Sequence, residues 1–288
     1  MSELAKRTVF SVIAAPLAVV ILWFGDAPLA ALLATIAALG AWEFYRIADA
    51  GGVRSMAIFG IVASALAPLF VHADRLGYPL PPPSVLLLLP IGILAASIWT
   101  RGVEGRPLSA SATTLFGIFY TGVMLSFGYL LRYHQYTGVD RASGASLVAL
   151  PMIITWASDT GAYFVGRALG RHKLIPRVSP GKTVEGAIGG MVLSMLVSWL
   201  YVEFVLRRFG QLGMRPHHAL LFGAAISIAA QIGDLAESLL KREAGVKDSS
   251  RIIPGHGGIL DRFDSLLFVL PTAYVLLTHL RLLVPAPR

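Results

Sequence analysis

This 288-residue chain contains no cysteine, and only 14% of its residues are charged. Both facts restrict the classes of protein to which it can belong. The lack of cysteine excludes disulfides, thiolate metal sites and cysteine nucleophiles. A typical globular protein has about 25% charged residues. Here 56% of the residues are hydrophobic and the mean hydropathy is +0.70, so too few polar groups remain to cover a water-exposed surface. The composition predicts a membrane protein.

The charges that are present are mostly basic, with 24 Lys and Arg against 16 Asp and Glu and a net charge of +8. Nucleic-acid binding is one interpretation of such a charge, but apolar blocks divide the basic residues into short clusters. Clusters of this kind are typical of membrane topology signals and of contacts with anionic lipid or phosphate. We therefore expect membrane lipid as a partner and no nucleic acid.

Apolar segments long enough to cross a bilayer recur along the chain. A hydrocarbon core of about 30 Å needs about 20 mostly apolar residues per helix. The first segment follows Lys6 and Arg7 as in a signal peptide, but no clear small-residue cleavage site comes after it, so we interpret it as a retained span. The proline-rich stretch 79–83 predicts a turn. Nine segments come close to this length once interfacial residues are allowed: 8–25, 28–45, 55–72, 83–100, 109–131, 144–165, 184–206, 217–238 and 263–284.

Nine spans place the two termini on opposite sides of the membrane, and the basic residues favour one orientation. With the N-terminus in the cytoplasm, 16 of the 24 Lys and Arg residues fall in cytoplasmic segments, in agreement with the positive-inside rule. Arg207, Arg208 and Arg215 run against the trend. This orientation puts the polar loops 166–183 and 239–262 on one cytoplasmic face. The sequence predicts an all-α, polytopic protein with a single membrane-embedded domain over residues 1–288.

One acidic residue lies inside the sixth predicted span. Asp159 stands between Ser158 and Thr160 in an otherwise apolar segment. An ionised side chain at membrane depth costs about 2.5–3.5 kcal/mol on insertion scales, so it needs a partner or a wet cavity. Asp159 could fix helix packing through a neighbouring hydroxyl, but an uncharged residue would do this with less desolvation penalty. We therefore favour a functional role.

A second polar cluster lies at the end of the eighth predicted span. Asp234, Ser238 and Lys241 or Arg242 recur at steps of three or four residues, so on a helix they share a face. Glu237 lies near that face. A stripe of ion pairs on a solvated helix end explains part of this pattern, but Asp234 lies too deep in an apolar run to be explained in this way.

A third cluster, between Lys247 and Asp264, combines basic residues, glycines and carboxylates. The Pro-Gly-His-Gly-Gly stretch that ends at Gly258 predicts an irregular backbone whose N–H groups suit phosphate oxygens. Asp261 and Asp264 sit one helical turn apart at the start of the ninth span. Carboxylates beside phosphate-binding groups suit Mg²⁺. His256 is the only histidine near these acids, which argues against zinc.

A Gly-Lys-Thr sequence opens the seventh predicted span. Gly181, Lys182 and Thr183 resemble a P-loop only superficially, because no strand is predicted before them and the first glycine of that motif is missing. The turn can still present N–H groups, a cation and a hydroxyl to an anion. A topology anchor with a helix cap explains the same residues equally well.

The polar segments taken together resemble the signature of one enzyme family. The residues and their spacing are similar to those of the phosphatidate cytidylyltransferases, also called CDP-diacylglycerol synthases. The signature is long and unusual, and the catalytic region that it implies covers residues 156–186 and 231–265. The residues that carry the resemblance are Ser238, Lys241, Arg242, Lys247, Asp248, Pro254, Gly255, His256, Gly257, Gly258, Asp261, Arg262 and Asp264, with the segments 156–163 and 179–186.

The resemblance implies a reaction in which CTP and phosphatidic acid give CDP-diacylglycerol and pyrophosphate at the cytoplasmic side of a bacterial inner membrane. It implies Mg²⁺, together with a monovalent cation such as K⁺, and it leaves a homodimer as one alternative for the oligomeric state. The implied metal ligands are Asp234 and Asp261, with Asp264 and Asp159 orienting ligands or completing the shell. The implied phosphate-binding groups are Lys241, Arg242, Lys247 and Arg262 for the triphosphate, Ser238, His256, Gly257 and Gly258 as hydrogen-bond donors, and Lys182 for the lipid phosphate.

Two other classes of protein remain open at this point. A transporter would use Asp159 and Asp234 as ion relays, although the halves of the chain show no matching broken helices. A lipid-alcohol kinase that uses CTP would share the membrane location and the phosphate chemistry. It would transfer the γ-phosphoryl group and release CDP rather than pyrophosphate.

Overall fold

The structure is a computed structural model that describes residues 3–137, 140–250, 252 and 257–285. Most of these residues are helical, and short turns and two small antiparallel strand pairs connect the helices. The helices are α1 (Glu3–Phe24), α2 (Asp26–Ala50), α3 (Ala57–Arg75), α4 (Leu88–Thr100), α5 (Pro107–Gly117), α6 (Met124–Arg132), α7 (Arg141–Leu169), α8 (Val184–Tyr201), α9 (Arg207–Phe209), α10 (Pro216–Glu243) and α11 (Leu260–His279). The strands are β1 (Lys173–Ile175), β2 (Ser179–Thr183), β3 (Leu212–Gly213) and β4 (Val284–Pro285).

Three short segments are helical but not α-helical. Pro83–Leu87 forms a 3-10 turn that leads into α4. Ile118–Val123 and Val202–Leu206 are π-helical turns that continue α5 into α6 and α8 into α9. The chain divides into two compact units, of which the first comprises Met1–Ile21, Asp26–Tyr129 and Leu240–Arg262, and the second comprises Leu22–Gly25, Leu130–Leu239 and Phe263–Arg288.

In the first unit, α2 packs against α3 around a buried tyrosine. The Tyr45 hydroxyl donates a hydrogen bond to the carbonyl oxygen of Thr114 at 2.8 Å. A Cβ atom on Gly60 of α3 or on Gly117 of α5 would overlap the Tyr45 ring. Glycine at these two positions therefore lets the ring pass between the helices, and Phe44 packs edge-on against it with the ring centroids 5.4 Å apart.

In the second unit, α8 packs against α7 through a face of small residues. A Cβ atom on Gly190 would lie 2.6 Å from the carbonyl oxygen of Ser158 in α7. Helices in lipid associate through close packing, since lipid is as apolar as their side chains, and small residues permit this approach. The buried face of α8 carries Gly186, Gly190, Ser194 and Ser198, and its exposed face carries Ile188, Val192, Leu196 and Leu200.

The helices confirm the prediction of a mostly helical protein, and the length and apolar composition of several of them support a membrane location. Within the described residues, five helices are long and apolar enough to cross a membrane: Asp26–Ala50, Ala57–Arg75, Pro107–Arg132, Val184–Phe209 and Pro216–Glu243. A shorter apolar helix covers Ser84–Thr100. The predicted segments 8–25, 144–165 and 263–284 fall on α1, α7 and α11, which are not among these five. The count of nine spans stays a prediction.

Some boundaries differ from the predicted ones for identifiable reasons. The segment 83–100 begins with a 3-10 turn, because the prolines before it remove backbone donors. The segment 263–284 leaves the helix after His279, and Arg281 has a φ of +48°, which an α-helix does not accommodate. No strand was predicted near Lys182, but the residues Ser179–Thr183 form β2, which pairs with β1 in an antiparallel hairpin.

Candidate active site

Lys241 and Asp261 form a buried ion pair in the first unit. The Nζ atom of Lys241 lies 2.6 Å from Oδ1 of Asp261, and the two side chains are 10% and 11% exposed. Asp261 lies in the first turn of α11, where the helix dipole also favours a negative charge. The sequence predicted both residues for one site, and the structure brings them into contact.

The chain before α11 folds around the Asp261 carboxylate. Oδ2 of Asp261 accepts hydrogen bonds from the Ser249 N–H at 3.1 Å, the Ser249 hydroxyl at 2.9 Å and the Gly258 N–H at 2.8 Å. Gly257 has a φ of +84°, and a Cβ atom there would lie 2.9 Å from Oδ2 of Asp261. Glycine satisfies both the left-handed backbone and the close approach. The contact of Gly257 and Gly258 with substrate phosphate stays a prediction.

Glu43 of α2 belongs to the same unit and was missed by the sequence pattern. Its side chain is 0% exposed. Its Oε2 atom accepts a hydrogen bond from the Leu260 N–H at 2.6 Å and lies 3.0 Å from the Ser249 hydroxyl oxygen. Glu43 is an acidic residue inside the predicted apolar segment 28–45, and such a residue needs a partner. Asp159 in the segment 144–165 has the same property, so the sequence contained the signal for both residues.

In the second unit, the predicted residues Asp159, Lys182, Asp234 and Ser238 come together. The Nζ atom of Lys182 lies 2.7 Å from Oδ2 of Asp234, and these side chains are 26% and 37% exposed. The Ser238 hydroxyl donates to Oδ1 of Asp234 at 3.3 Å. Asp159 lies close enough to Asp234 and Lys182 for their charges to interact. The group combines two carboxylates, one cation and one hydroxyl in a partly exposed setting.

Two hydrogen bonds hold the start of α8, next to Lys182, and connect it to α10, which carries Asp234. The Thr183 hydroxyl accepts the Gly186 N–H at 3.1 Å and so caps the start of α8 immediately after Lys182. The Gln231 side-chain amide in α10 donates to the carbonyl oxygen of Ala187 in α8 at 3.2 Å. The helix cap considered from the sequence is therefore present, and it accompanies the contact of Lys182 with Asp234.

Asp264 also belongs to the second unit, where α10 and α11 approach each other closely. A Cβ atom on Gly233 would lie 2.8 Å from the carbonyl oxygen of Asp264 and 3.0 Å from Cα of Ser265. Oδ1 of Asp264 accepts a hydrogen bond from the Ser265 N–H at 2.6 Å. Gly233 therefore permits α10 to pass directly beside the helical turn that carries Asp264.

The other predicted phosphate-binding cations lie at the surface. Arg242, Lys247 and Arg262 are exposed, and Nη1 of Arg242 donates to the carbonyl oxygen of Val246 at 3.1 Å. Lys247 lines a cleft of about 540 Å³. Exposed cations are accessible to a dissolved triphosphate. His256, Pro254 and Gly255 lie outside the described residues.

The predicted metal ligands belong to separate units, with Asp261 in the first and Asp234 and Asp264 in the second. Among the residues that the structure describes, no three His, Asp or Glu side chains gather in a way that could hold a metal ion. The metal site stays a prediction.

Comparisons with known proteins agree with the resemblance of the polar segments. The model of the cytidylyltransferase family matches residues 5–280. A phosphatidate cytidylyltransferase of Bacillus subtilis is 32% identical over 283 residues, which cover 96% of this chain and 98% of that protein. Proteins of the same name from Staphylococcus haemolyticus and Staphylococcus epidermidis are 41% and 44% identical over 59% and 58% of this chain. The matched part spans about 60% of the length of these staphylococcal relatives. Because the family model extends over nearly the whole sequence, the chain belongs to the cytidylyltransferase family.

Proposed function

We propose that the protein is a phosphatidate cytidylyltransferase, which makes CDP-diacylglycerol and pyrophosphate from CTP and phosphatidic acid for phospholipid biosynthesis. The observation that carries this proposal is the buried Lys241–Asp261 pair at 2.6 Å, because it lies within the sequence that resembles the signature of these enzymes. The name of the Bacillus subtilis relative, which aligns over 96% of the chain, supports the same activity.

In the proposed reaction, a phosphate oxygen of phosphatidic acid attacks the α-phosphorus of CTP. The new P–O bond forms as the bond between the α-phosphorus and the bridging oxygen breaks, and pyrophosphate leaves with that oxygen. Transfer of this kind depends on positioning and charge neutralisation. Lys241, Arg242, Lys247 and Arg262 would bind the triphosphate, and Lys182 the lipid phosphate. Asp261 would hold the Lys241 ammonium group in place, and Ser238, His256, Gly257 and Gly258 would donate hydrogen bonds to phosphate oxygens. Ser238 and Gly258 would do so by exchanging their bonds to Asp234 and Asp261 for bonds to phosphate.

The proposal includes Mg²⁺ bound by Asp234, Asp261 and Asp264, with Asp159 completing the shell. The donor chemistry fits this ion, because all of these ligands are carboxylate oxygens and the chain contains no thiolate. Asp234 accepts one ammonium and one hydroxyl group, which leaves lone pairs for a further ligand. When bound, Mg²⁺ would lower the repulsion between the two anionic reactants. A K⁺ ion is the proposed monovalent companion.

We further propose nine spans with the N-terminus in the cytoplasm of a bacterial cell. Phosphatidic acid lies in the bilayer and CTP is dissolved in the cytoplasm, so the active site has to lie at the cytoplasmic side of the inner membrane. The clustering of basic residues in the loops 166–183 and 239–262 supports this location. Native mass spectrometry would distinguish a monomer from the homodimer alternative.

The proposed activity is tested by mixing the purified protein in detergent with phosphatidic acid, Mg²⁺ and labelled CTP. We expect the cytidine label to enter the lipid fraction together with the release of an equal amount of pyrophosphate. Lys241→Ala under the same conditions serves as the catalytic control. Release of CDP with a phosphorylated lipid would identify a kinase instead, and neither product under varied cation and lipid conditions would contradict the proposal.

A further inference from the structure

A carboxylate distant in sequence from the signature contacts two parts of the chain that follow α10: Ser249 and Ser250, and the residues at the start of α11. This carboxylate belongs to Glu43, which lies in the C-terminal third of α2 and is 0% exposed. Its Oε1 atom accepts hydrogen bonds from the Ser250 hydroxyl at 2.5 Å and the Ile259 N–H at 3.0 Å. Its Oε2 atom accepts the Leu260 N–H at 2.6 Å and lies 3.0 Å from the Ser249 hydroxyl. All of these residues belong to the first unit.

These contacts use most of the hydrogen-bonding capacity of the Glu43 carboxylate. A carboxylate offers about four lone-pair sites, and three donors bind Glu43 alone: the Ser250 hydroxyl, the Ile259 N–H and the Leu260 N–H. The Ser249 hydroxyl carries one proton and lies between two acceptors, Glu43 and Asp261. A buried ionisable group costs free energy unless hydrogen bonds compensate it, so this arrangement explains how an acidic side chain remains inside the unit.

The shape of the chain around Glu43 is a second, independent observation. A Cβ atom on Gly258 would lie 1.9 Å from the Ser249 hydroxyl oxygen and 2.6 Å from each carboxylate oxygen of Glu43. No larger residue fits at that position while Glu43 holds its place. The glycine of the signature is thus required by the acidic side chain of α2 as well as by the approach of its own N–H to Asp261.

Ser249 connects Glu43 to the residues expected to act on phosphate. The Ser249 hydroxyl and N–H both donate to Asp261, and Asp261 in turn binds Lys241 at 2.6 Å. A displacement of Ser249 or of the first turn of α11 would therefore move the Asp261 carboxylate and the ammonium group that it holds. A misplacement of 1 Å in an active site is able to cost about 100-fold in rate.

We infer that Glu43 is a positioning residue for cytidylyl transfer, fixing Ser249, Ser250 and the start of α11 so that Asp261 and Lys241 keep their geometry. The inference rests on the proposed function, because Lys241 and Asp261 take their roles from it. Glu43 acts through these residues and does not touch the substrate.

Glu43→Gln tests this inference because it changes the shape of the side chain very little. In either orientation, the amide NH₂ group faces one backbone N–H, that of Ile259 or that of Leu260, and neither can accept a hydrogen bond. The serine hydroxyls are able to rotate, but the backbone donors are not. Ser250→Ala removes only one donor to Glu43 and serves as the milder variant if Glu43→Gln does not fold. Glu203→Gln is the matched control, since Glu203 pairs with Arg207 at 2.9 Å outside this network.

Two measurements are made on each variant in detergent, below its unfolding midpoint. We expect kcat of Glu43→Gln to fall by about 10–100-fold, the range for loss of a group that orients an active-site ligand, with a much smaller change in KM for CTP. Hydrogen exchange should become faster at Ile259 and Leu260 and stay unchanged in α7 and α8. Ser250→Ala should change kcat in the same direction by less, and Glu203→Gln should match the wild type.

Wild-type kcat in a folded Glu43→Gln, or in Ser250→Ala where Glu43→Gln does not fold, would overturn the inference. A uniform increase in exchange across both units, with activity lost in proportion to unfolding, would show a merely structural role and would overturn it too. The exchange measurement needs no substrate. If the wild type makes no CDP-diacylglycerol, the proposed function fails by itself, and unchanged exchange at Ile259 and Leu260 would separately show that Glu43 does not hold the chain.

Discussion

The Lys241–Asp261 and Lys182–Asp234 pairs differ in exposure, and this difference decides what their loss should do. The first pair is 10% and 11% exposed and the second is 26% and 37% exposed. Removing one partner of a buried pair costs about 3–5 kcal/mol, because an uncompensated charge remains. A surface pair contributes about 0–1 kcal/mol. Substitution in the first pair therefore affects stability and activity together, whereas substitution in the second should affect mainly activity.

At the residue scale, we expect Asp261→Asn to lower kcat by about 100-fold or more, as for the loss of one charge-stabilising group in an active site. The substitution removes the counter-charge of Lys241 and turns an amide NH₂ group toward a donor, either Lys241 itself or the Ser249 and Gly258 groups. Initial rates with labelled CTP measure the effect on protein that elutes as a folded species in detergent.

Asp74→Asn is the matched control for this substitution, because Asp74 is exposed near the end of α3. Its rate should equal that of the wild type. Near-normal formation of CDP-diacylglycerol by Asp261→Asn would contradict the roles proposed for Asp261 in metal binding and in holding Lys241.

A double-mutant cycle on Lys182→Ala and Asp234→Asn tests whether the second pair acts as one unit. Each single variant should lose most of the turnover, and the double variant should lose little more than the worse single variant, because groups that act together are not additive. The unfolding midpoint should move by less than about 2 °C, which corresponds to about 1 kcal/mol in a chain of this size. Fully additive losses in rate would argue that the two residues serve separate steps.

At the element scale, the contact between α7 and α8 determines where two of the site residues stand. Asp159 lies on α7, and Lys182 comes two residues before the start of α8. The two helices approach through glycines: a Cβ atom on Gly186 would lie 3.1 Å from Cα of Gly166. The small residues of α8 therefore keep Asp159 near Lys182 in the candidate site, since a wider helix pair would separate these two residues.

The pair of substitutions Gly190→Ala and Gly92→Ala tests this packing with one chemical change at two helical sites. A Cβ atom on Gly190 would lie 2.6 Å from the Ser158 carbonyl oxygen, whereas nothing lies within 4 Å of one on Gly92. Overpacking typically costs about 1–3 kcal/mol, and alanine in place of glycine in an open helix gains about 1 kcal/mol. Thermal unfolding in detergent should show a lower midpoint for Gly190→Ala and an equal or higher midpoint for Gly92→Ala. The reverse order would contradict the packing argument.

At the scale of the whole molecule, the exposed apolar surface explains why the protein needs a membrane. In α3, only 17% of the most apolar 18-residue stretch is buried within the protein. Ile58 in this helix is 82% exposed. Trp99 at the end of α4 is 81% exposed. Soluble monomers rarely expose contiguous apolar patches of more than a few hundred Å². Lipid is the solvent that stabilises such surfaces.

The proposed orientation is testable because the chain contains no cysteine, so a single introduced thiol is labelled without background. Tyr78 and Phe209 are 63% and 62% exposed and fall outside the cytoplasm in the nine-span topology, whereas Gly181 falls inside it. With an impermeant thiol reagent on intact spheroplasts, Tyr78→Cys and Phe209→Cys should react, and Gly181→Cys should react only after lysis. Labelling of Gly181→Cys in intact spheroplasts would contradict the N-terminus-inside orientation.

The sequence by itself determined the class of the protein and the approximate positions of its helices, and it predicted the residues of the candidate site. Backbone groups in lipid have to be hydrogen-bonded within the segment, so a long apolar run has few structures open to it. For this reason each of the nine predicted segments overlaps a helix, although 263–284 continues five residues past the end of α11. The contact of Ser238 with Asp234 was also predictable, because residues four apart on a helix are neighbours. The strand at Ser179–Thr183 was not, since its stability comes from pairing with β1.

Only the tertiary structure decided which partner each charged residue has. Lys182 has Asp234 as its partner, Lys241 has Asp261, and the Glu43 carboxylate accepts a hydrogen bond from the Ser250 hydroxyl, 207 residues away along the chain. Local spacing carries no information about such pairs, because they depend on which helices pack together and how closely glycines such as Gly258 let them approach. A buried charge is stable only where a donor reaches it, and the position of that donor is a property of the packed molecule.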